Sequence, residues 1–284
     1  MDIIDQVITT EATRLNVRRA IPILIYWATT EQTNRTYNDL IKALGYTRFS
    51  GICYVLGAIQ EVINELSKKT GKPIPTLNSL CKKNKSKRED MLPSDGFDYV
   101  EPKYSSLTDE GKRTFVAGLD SIAIQYPNWD WVLSELSLTP YTPFSSTELN
   151  SILKTANYHT GGEGPEHKLL KEYILNHPEK IGVTDVEACE IEYLLPSGDK
   201  LDVYFKLADG SIVAVEVKSS ISDDADITRG IFQAVKYKAI LEAIQRVEGK
   251  SSDVSVLLVT GRTISDIHNR LITMLSVKHK QVEM

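Results

Sequence analysis

The stretch from Gly198 to Lys218 places the strongest constraint on how this chain can fold. It reads GDKLDVYFKLADGSIVAVEVK. Two runs of alternating apolar and polar residues flank the turn-forming residues 208–210, which predicts a β-hairpin. Because successive side chains point to opposite sides of a strand, one face of this hairpin is apolar. The other face carries Asp202, Glu216 and Lys218.

The length of the hairpin loop decides whether these three polar side chains meet. A two-residue turn at Asp209 and Gly210 would place Asp202 on the wrong face. A three-residue loop with Gly210 at positive φ places Asp202 opposite Glu216, with Cβ atoms roughly 5 Å apart. Two carboxylates at that distance offer the hard oxygen ligands that Mg²⁺ prefers. The alternative is a solvated strand face with a weak ion pair between Glu216 and Lys218.

The composition is that of an ordinary globular protein. The 284 residues are 42% hydrophobic and 25% charged, which fits one large or two ordinary domains. No run of about 18 apolar residues occurs, so we expect no membrane span. Three widely spaced cysteines and an N-terminus without a signal-peptide pattern favour a cytoplasmic protein with reduced thiols. The net charge of −5 argues against a generic nucleic-acid coat, but not against a nuclease with a locally acidic site.

The residues before position 150 are predicted to be mainly helical. Apolar spacing predicts a helix over residues 2–20, followed by a separate buried segment over residues 21–30. Thr36 is a helix N-cap and Gly45 a helix stop, which predicts a short helix between them. A longer helix is predicted from Ile52 to its stop at Gly71. A short helix, a turn and a longer helix resemble a helix-turn-helix.

A basic run, KKNKSKR, follows these helices at residues 82–88. A winged helix carries its wing at this position, so residues 1–159 are predicted to form a mainly helical, winged-helix-like DNA-binding domain. Each engaged basic side chain releases roughly one counterion, so such binding would depend steeply on salt. The alternative is an ordinary solvated loop. The side chains predicted to contact phosphates are Lys82, Lys83, Lys85, Lys87 and Arg88.

Residues 160–284 are predicted to form a second domain. Its elements follow the order helix, three strands, helix, strand, helix. Glu166 lies at the end of the apolar stripe of the first helix, either as a site residue or as a solvated residue favoured by the helix dipole. Gln233 and Tyr237 share one stripe of the long helix after the hairpin. The apolar run at residues 254–260 suits a strand in the middle of a covered sheet.

This order of elements resembles the PD-(D/E)xK nuclease superfamily, whose fold is restriction-endonuclease-like. The resemblance implies an α/β domain with an αβββαβα core and a mixed sheet. The pair Gln233 and Tyr237 is similar to the QxxxY motif of the RecB-like and Cas4-like branch. The chain departs from the namesake motif because no proline precedes Asp202. The residues that carry the resemblance are Glu166, Asp202, Glu216, Val217, Lys218, Gln233 and Tyr237.

The resemblance implies a metal-dependent DNA endonuclease. Asp202, Glu216 and the backbone carbonyl of Val217 are implied to ligate Mg²⁺ or Mn²⁺. Glu166 is implied to hold a water or a second ion. Lys218 is implied to orient or help deprotonate the attacking water and to offset charge in the transition state.

Gln233 and Tyr237 are implied to face the same site, where Gln233 could hydrogen-bond Lys218 or a phosphate. A nuclease joined to its own recognition module favours restriction or anti-phage defence. Cleavage of both strands by one site per chain usually needs two copies, so a homodimer is a candidate state. Two alternatives are a non-catalytic DNA-binding or regulatory protein that kept the fold, and a nuclease that acts on RNA.

Overall fold

The chain divides into two compact units in the computed structural model, Met1–Pro143 and Phe144–Met284. Residues 2–83, 91–156, 164–250 and 253–283 are described. The boundary predicted between residues 159 and 160 lies outside these ranges. The helix at residues 146–156 belongs to the second unit, because its Ile152 is buried in that unit's core. No helix in the described ranges is both long enough and apolar enough to cross a membrane.

The first unit is built mainly from helices. The helical conformation is interrupted at residues 8–10. The helix that follows continues through Pro22 to Thr29. The prediction of one helix over residues 2–20 and a separate segment over 21–30 is therefore wrong. Buried residues on both sides of Pro22 hold this helix together despite the backbone hydrogen bond that proline removes. The elements are α1 (Ile3–Val7), α2 (Glu11–Thr29), β1 (Arg35–Thr36), α3 (Tyr37–Ala43), α4 (Ile52–Thr70), β2 (Cys81–Lys82), α5 (Asp109–Gln125) and α6 (Trp129–Glu135).

Local signals set the ends of α3 and α4, and both predicted helices are confirmed. The Thr36 hydroxyl accepts a hydrogen bond from the Asp39 backbone N–H (3.1 Å), and the Asp39 carboxylate accepts one from the Thr36 backbone N–H (2.8 Å). This capping box fixes the start of α3. Gly71 ends α4 at φ +67°, a conformation that glycine adopts without strain. β1 and β2 form a two-residue parallel pair. The winged helix stays a prediction, because residues 84–90 lie outside the described ranges.

The second unit is a mixed α/β fold. Its elements are α7 (Ser146–Ala156), α8 (Pro165–Asn176), β3 (Val186–Leu194), β4 (Lys200–Leu207), β5 (Ile212–Lys218), α9 (Asp224–Val247), β6 (Val254–Thr260), α10 (Asp266–Leu275) and β7 (Lys278–Gln281). The described strands form a five-stranded sheet in the order β3-β4-β5-β6-β7. The β3–β4 and β4–β5 pairs are antiparallel, and the β5–β6 and β6–β7 pairs are parallel. The predicted mixed sheet is confirmed, and β7 is an edge strand that the sequence did not predict.

Helices cover both faces of this sheet. The core on the α8 side contains Leu170, Ile174, Val203, Phe205, Val215 and Val217. The core on the α9 side contains Ile212, Ala214, Ile227, Ile231, Ala234, Tyr237 and Leu258. The polar residues at the end of β5 therefore lie beneath a helix, and the alternative of a solvated strand face does not hold.

Candidate active site

The β4–β5 hairpin brings Asp202 to Glu216 in the predicted register. The ladder pairs Val203 with Val215, and residues 208–210 form a three-residue loop with Gly210 at φ +84°. Continued by one residue, this register places Asp202 beside Glu216. The Asp202 carboxylate also accepts a hydrogen bond from the Val217 backbone N–H (2.8 Å). The structure confirms the hairpin and the loop that this register requires.

Glu216 and Lys218 form a buried ion pair at the end of β5. The Lys218 Nζ lies 2.8 Å from the Glu216 Oε1, and the two residues are 6% and 3% exposed. Burial raises the pKa of the Glu216 carboxyl, and the nearby Asp202 carboxylate raises it further. Lys218 acts in the opposite direction without cancelling these effects, so the pKa of Glu216 rises to about 8. Glu216 and Asp202 are two carboxyl groups close together, and a bound cation would balance their negative charge.

Helix α9 supplies the polar groups that hold Lys218 in place. The Gln233 Oε1 accepts a hydrogen bond from the Lys218 Nζ (3.3 Å), and Lys218 is one of the two partners that the resemblance allowed for Gln233. The Gln233 Nε2 in turn donates to the Tyr237 hydroxyl (3.3 Å), which donates to the Lys200 backbone carbonyl (3.2 Å). Burial raises the pKa of the Tyr237 hydroxyl, so it stays protonated near neutral pH. Lys218 is therefore the first member of a chain of hydrogen bonds that ends on the backbone.

Two glycines make room for this arrangement. A Cβ on Gly230 of α9 would lie 2.7 Å from the Lys218 Cε and 3.1 Å from the Leu258 Cδ1. A Cβ on Gly261 would lie 2.7 Å from the Ser220 backbone nitrogen. Gly261 also donates its backbone N–H to the Lys218 carbonyl (2.8 Å). The chain can approach Lys218 from both sides because neither position carries a side chain.

Gly230→Ala should lower the rate of the DNA cleavage that the sequence predicts by about 10–10²-fold without unfolding the protein. The added methyl group displaces the Lys218 side chain, and a displacement of about 1 Å in an active site can cost this much in rate. Alanine is otherwise the better helix former by about 1 kcal/mol. The matched control is Gly118→Ala on α5, where an added Cβ meets nothing within 4 Å. Equal cleavage rates for both variants would contradict the placement of Lys218.

Helix α8 adds two side chains that the sequence did not identify as part of this site. His167 and Lys171 lie one turn apart, with the His167 Nε2 3.3 Å and the Lys171 Nζ 3.9 Å from the Asp202 Oδ1. Because an ionised carboxylate can only accept, the His167 Nε2 is the donor in this hydrogen bond. Lys171 also pairs with Glu192 (3.2 Å). Lys200 and Lys171 together lower the pKa of the Glu192 carboxyl to about 2.

The predicted third carboxylate does not join the cluster. Glu166 is half-buried in the first turn of α8, with its Oε2 near Gly164. Within residues 2–83, 91–156, 164–250 and 253–283, no three His, Cys, Asp or Glu side chains are grouped closely enough to hold a metal ion together. The role that the resemblance implies for Glu166 therefore has no geometric support in the described residues.

Two carboxylates still suit Mg²⁺, because this ion is usually bound through one or two carboxylates, waters and substrate phosphates. Asp202, Glu216 and the Val217 carbonyl are oxygen donors at adjacent positions of two paired strands. The raised pKa of Glu216 indicates that its charge is poorly balanced by the protein alone. The residues therefore fit a hard divalent cation.

The predicted phosphate-binding residues differ in how exposed they are to solvent. Lys82 is 4% exposed, and its Nζ lies 2.7 Å from the Asp120 Oδ2, so its ammonium is not available to a phosphate. This corrects the expectation that Lys82 contacts nucleic acid. Lys83 is partly exposed and lies 3.8 Å from Asp95. Lys85, Lys87 and Arg88 lie outside the described residues.

We expect the metal-free protein to lose stability as the pH rises from about 5 to about 8. The pKa of Glu216 is raised in the folded state from its ordinary value of 4.5 to about 8, so the folded protein binds more protons across this range. The resulting stabilisation is complete below about 4.5 and is lost as the pH rises through about 8. Urea unfolding in EDTA at several pH values measures this slope.

The control for this pH dependence is Glu216→Gln, which cannot ionise and should flatten the slope. Mg²⁺ should stabilise the wild-type protein most at pH 8, because the cation favours the charged carboxylate. A slope of the same size in wild type and Glu216→Gln would show that another group carries the dependence.

Comparison with known proteins yields two partial likenesses in structure. No protein-family profile matches the sequence, and no curated protein matches it either. A repair endonuclease from Pyrococcus abyssi aligns at 16% identity and a TM-score of 0.31, over 44% of this chain and 50% of its own. EndoMS in a complex with double-stranded DNA aligns at 20% identity and a TM-score of 0.32, over 45% of this chain and 48% of its own. Each match spans about half of the neighbour, and at these scores it assigns neither a family nor an activity to this chain.

Proposed function

We propose that this protein is a metal-dependent endonuclease that hydrolyses phosphodiester bonds in DNA. The observation that carries the proposal is the cluster of Asp202, Glu216 and Lys218 at the ends of β4 and β5. Burying such charges costs stability, and buried groups with perturbed pKa values are concentrated at functional sites. Asp202 and His167 keep 15% and 18% of their side chains exposed. The cluster therefore reaches the surface, where a phosphate can approach it.

Asp202, Glu216 and the Val217 carbonyl would hold Mg²⁺ or Mn²⁺ in this proposal. The bound cation would polarise a phosphate oxygen and lower the pKa of the attacking water. The Val217 N–H keeps the Asp202 carboxylate at the end of β4. Lys171 offsets the negative charge of Asp202, and the His167 Nε2 donates a hydrogen bond to the same carboxylate oxygen. The Asp202 carboxylate is thus held by groups of both β5 and α8 before substrate binds.

Lys218 would supply positive charge at the place where negative charge develops in the transition state. Its ammonium is already oriented by Glu216 (2.8 Å) and Gln233 (3.3 Å), so little reorganisation is needed during the reaction. Tyr237 holds Gln233 and is itself held by the backbone of β4. This hydrogen-bonded chain supports a role for Lys218 in orienting the water and offsetting charge on the phosphate.

The first unit would bind DNA in this proposal. Its support is the pair of helices α3 and α4 with the basic residues that begin at Lys83. A nuclease domain joined to its own recognition domain favours a role in restriction or anti-phage defence. Duplex cleavage would then involve a homodimer, since each chain contributes one such cluster. Direct conversion of supercoiled plasmid to the linear form, without a nicked intermediate, would support two sites acting together.

The test is cleavage of supercoiled plasmid in Mg²⁺ or Mn²⁺, with wild-type protein beside Asp202→Ala and an EDTA control. We expect nicked or linear DNA from the wild type alone, and none in EDTA. Asp209→Ala is a matched control, because Asp209 lies in the loop of the same hairpin and hydrogen-bonds to Ser211. Cleavage by Asp202→Ala at the wild-type rate would overturn the proposed site. An RNA substrate in parallel shows which nucleic acid is cleaved.

A further inference from the structure

One residue inside β3 has an unusual backbone conformation. Glu192 has φ +54°, although it lies within the strand Val186–Leu194. A residue with a side chain seldom adopts a positive φ, because its Cβ then crowds the backbone. Of the described residues other than glycine, Glu192 is the one that has a positive φ inside a strand. Such strain persists only where the surrounding structure enforces it, and it is concentrated at functional sites.

The strained residue lies next to the proposed nuclease site. The β3–β4 ladder pairs Ile191 with Val203. One residue further along β3, the same register places Glu192 opposite Asp202. Like charges at directly opposite positions of paired strands destabilise a sheet, so two carboxylates here require a cation nearby.

A buried lysine lies close to both of these carboxylates. The Lys171 Nζ is 3.2 Å from the Glu192 Oε1 and 3.9 Å from the Asp202 Oδ1. Only 3% of the Lys171 side chain is exposed, so its charge needs a counter-ion within the protein. Because the attraction between charges falls with distance, Glu192 is the closer counter-ion, and Lys171 offsets only part of the charge of Asp202.

A second lysine holds Glu192 in this orientation. The Lys200 Nζ lies 2.8 Å from the Glu192 Oε2, so each oxygen of the carboxylate has its own lysine. Hydrogen bonds from Lys200 and Lys171 lower the pKa of Glu192 to about 2, so the carboxylate is charged at neutral pH. Glu192 is therefore a fixed negative charge on the side of Lys171 away from Asp202.

We propose that Glu192 is a positioning residue that holds the Lys171 ammonium back from Asp202. A divalent cation binds a carboxylate more weakly when a cation of the protein already neutralises it. Without the charge of Glu192, the Lys171 ammonium would turn to Asp202 and compete with the metal ion. The strained backbone places the Glu192 carboxylate where it prevents this competition. The inference rests on the proposed function, because the divalent cation belongs to the proposed nuclease site.

The first test is Mn²⁺ binding to the full chain, followed by the loss of the electron paramagnetic resonance signal of free Mn²⁺. We expect Glu192→Gln to weaken binding by about 10-fold or more, the usual scale for a group that supports a metal ligand. Lys171→Met should bind at least as tightly as wild type, because the competing charge is gone. The double variant should recover most of the lost affinity. Glu187→Gln is the matched control and should bind like wild type, because Glu187 also lies on β3 and pairs with Lys206 of β4 (2.7 Å).

The recovery in the double variant distinguishes this role from a merely structural one. If Lys171 only anchored Asp202, Lys171→Met would weaken Mn²⁺ binding and the double variant would be weaker still, which would overturn the proposal. Unchanged binding in Glu192→Gln, or no binding by the wild type, would also overturn it. A wild type that binds Mn²⁺ without cleaving DNA would contradict the proposed activity, while the order of affinities among the variants would still decide this inference.

The second test compares the urea unfolding of Glu192→Gly and Glu192→Ala. Both variants lose the carboxylate, so they differ in a methyl group and in backbone preference. Inside an ordinary strand glycine is less stable than alanine. At this position glycine should give the higher urea midpoint, because it adopts φ +54° without strain. Both variants should bind Mn²⁺ as weakly as Glu192→Gln. A higher midpoint for alanine would overturn the strained placement of Glu192 and the proposal with it.

Discussion

Lys218→Ala is expected to lower the rate of DNA cleavage by about 10²–10³-fold or more while the protein stays folded. That is the usual scale for removing one preorganised charged group from an active site. The Lys218 ammonium is fixed between Glu216 at 2.8 Å and Gln233 at 3.3 Å. Alanine removes the charge, and Glu216, left without its ion-pair partner, can take up a proton and so avoids the full cost of an unpaired buried carboxylate.

A further rise in the pKa of Glu216 should add to the effect of losing the Lys218 charge. Lys218 lowers the pKa of Glu216 more than Arg229 does, and both act against burial and the charge of Asp202. Without Lys218, the pKa of Glu216 rises further, and the carboxyl is protonated over more of the neutral pH range. A neutral carboxyl is a poorer ligand for Mg²⁺ than a carboxylate. The activity of Lys218→Ala should therefore recover in part as the pH or the Mg²⁺ concentration is raised.

The measurement is the single-turnover cleavage rate at several pH values and Mg²⁺ concentrations, with DNA binding followed separately in EDTA. Binding should change little, because the loss is in the chemical step. Lys206→Ala is the matched control, since Lys206 lies on the paired strand β4 in an exposed ion pair with Glu187. If Lys218→Ala cleaved DNA as fast as Lys206→Ala, the assignment of the active site would be wrong.

The β4–β5 hairpin could be predicted from sequence because the residues that determine it lie close together in the chain. Alternation of side chains fixes the two faces, and Gly210 selects the loop length that sets the register. The spacing of Gln233 and Tyr237 likewise places both on one stripe of α9. These features depend on residues a few positions apart, and the structure has each of them.

Contacts between distant elements could not be predicted in the same way. The His167–Asp202 contact joins residues 35 positions apart, and a lone histidine on a helix carries no signal of such a partner. Lys171 reads as an ordinary surface lysine, yet only 3% of its side chain is exposed. Pro22 reads as a helix breaker, but the packing around it overrides that local preference. Tertiary packing decided each of these cases.

Asp120→Ala is expected to destabilise the first unit by about 3–5 kcal/mol, the usual cost of leaving one partner of a buried ion pair alone. The Lys82 Nζ lies 2.7 Å from the Asp120 Oδ2, and 5% and 9% of the two side chains are exposed. The Lys82 Nζ also donates to the Thr33 carbonyl, which cannot neutralise its charge. Replacing both partners, as Lys82→Met with Asp120→Leu, should recover most of the loss because no buried charge remains. Urea unfolding of the two variants and the wild type measures these differences.

A comparison with Lys83 distinguishes the structural role of Lys82 from a role in DNA binding. Lys83→Ala should leave stability nearly unchanged and reduce the salt dependence of DNA binding by about one counterion, because Lys83 is partly exposed. The Lys82→Met, Asp120→Leu double variant should keep the wild-type salt dependence, because the Lys82 ammonium faces Asp120 and not the solvent. A reduced salt dependence in the double variant would show that Lys82 contacts DNA. An unchanged unfolding curve for Asp120→Ala would contradict the structural role of the Lys82–Asp120 pair. The expected result instead separates Lys82, which is buried beside Asp120, from Lys83, which is partly exposed.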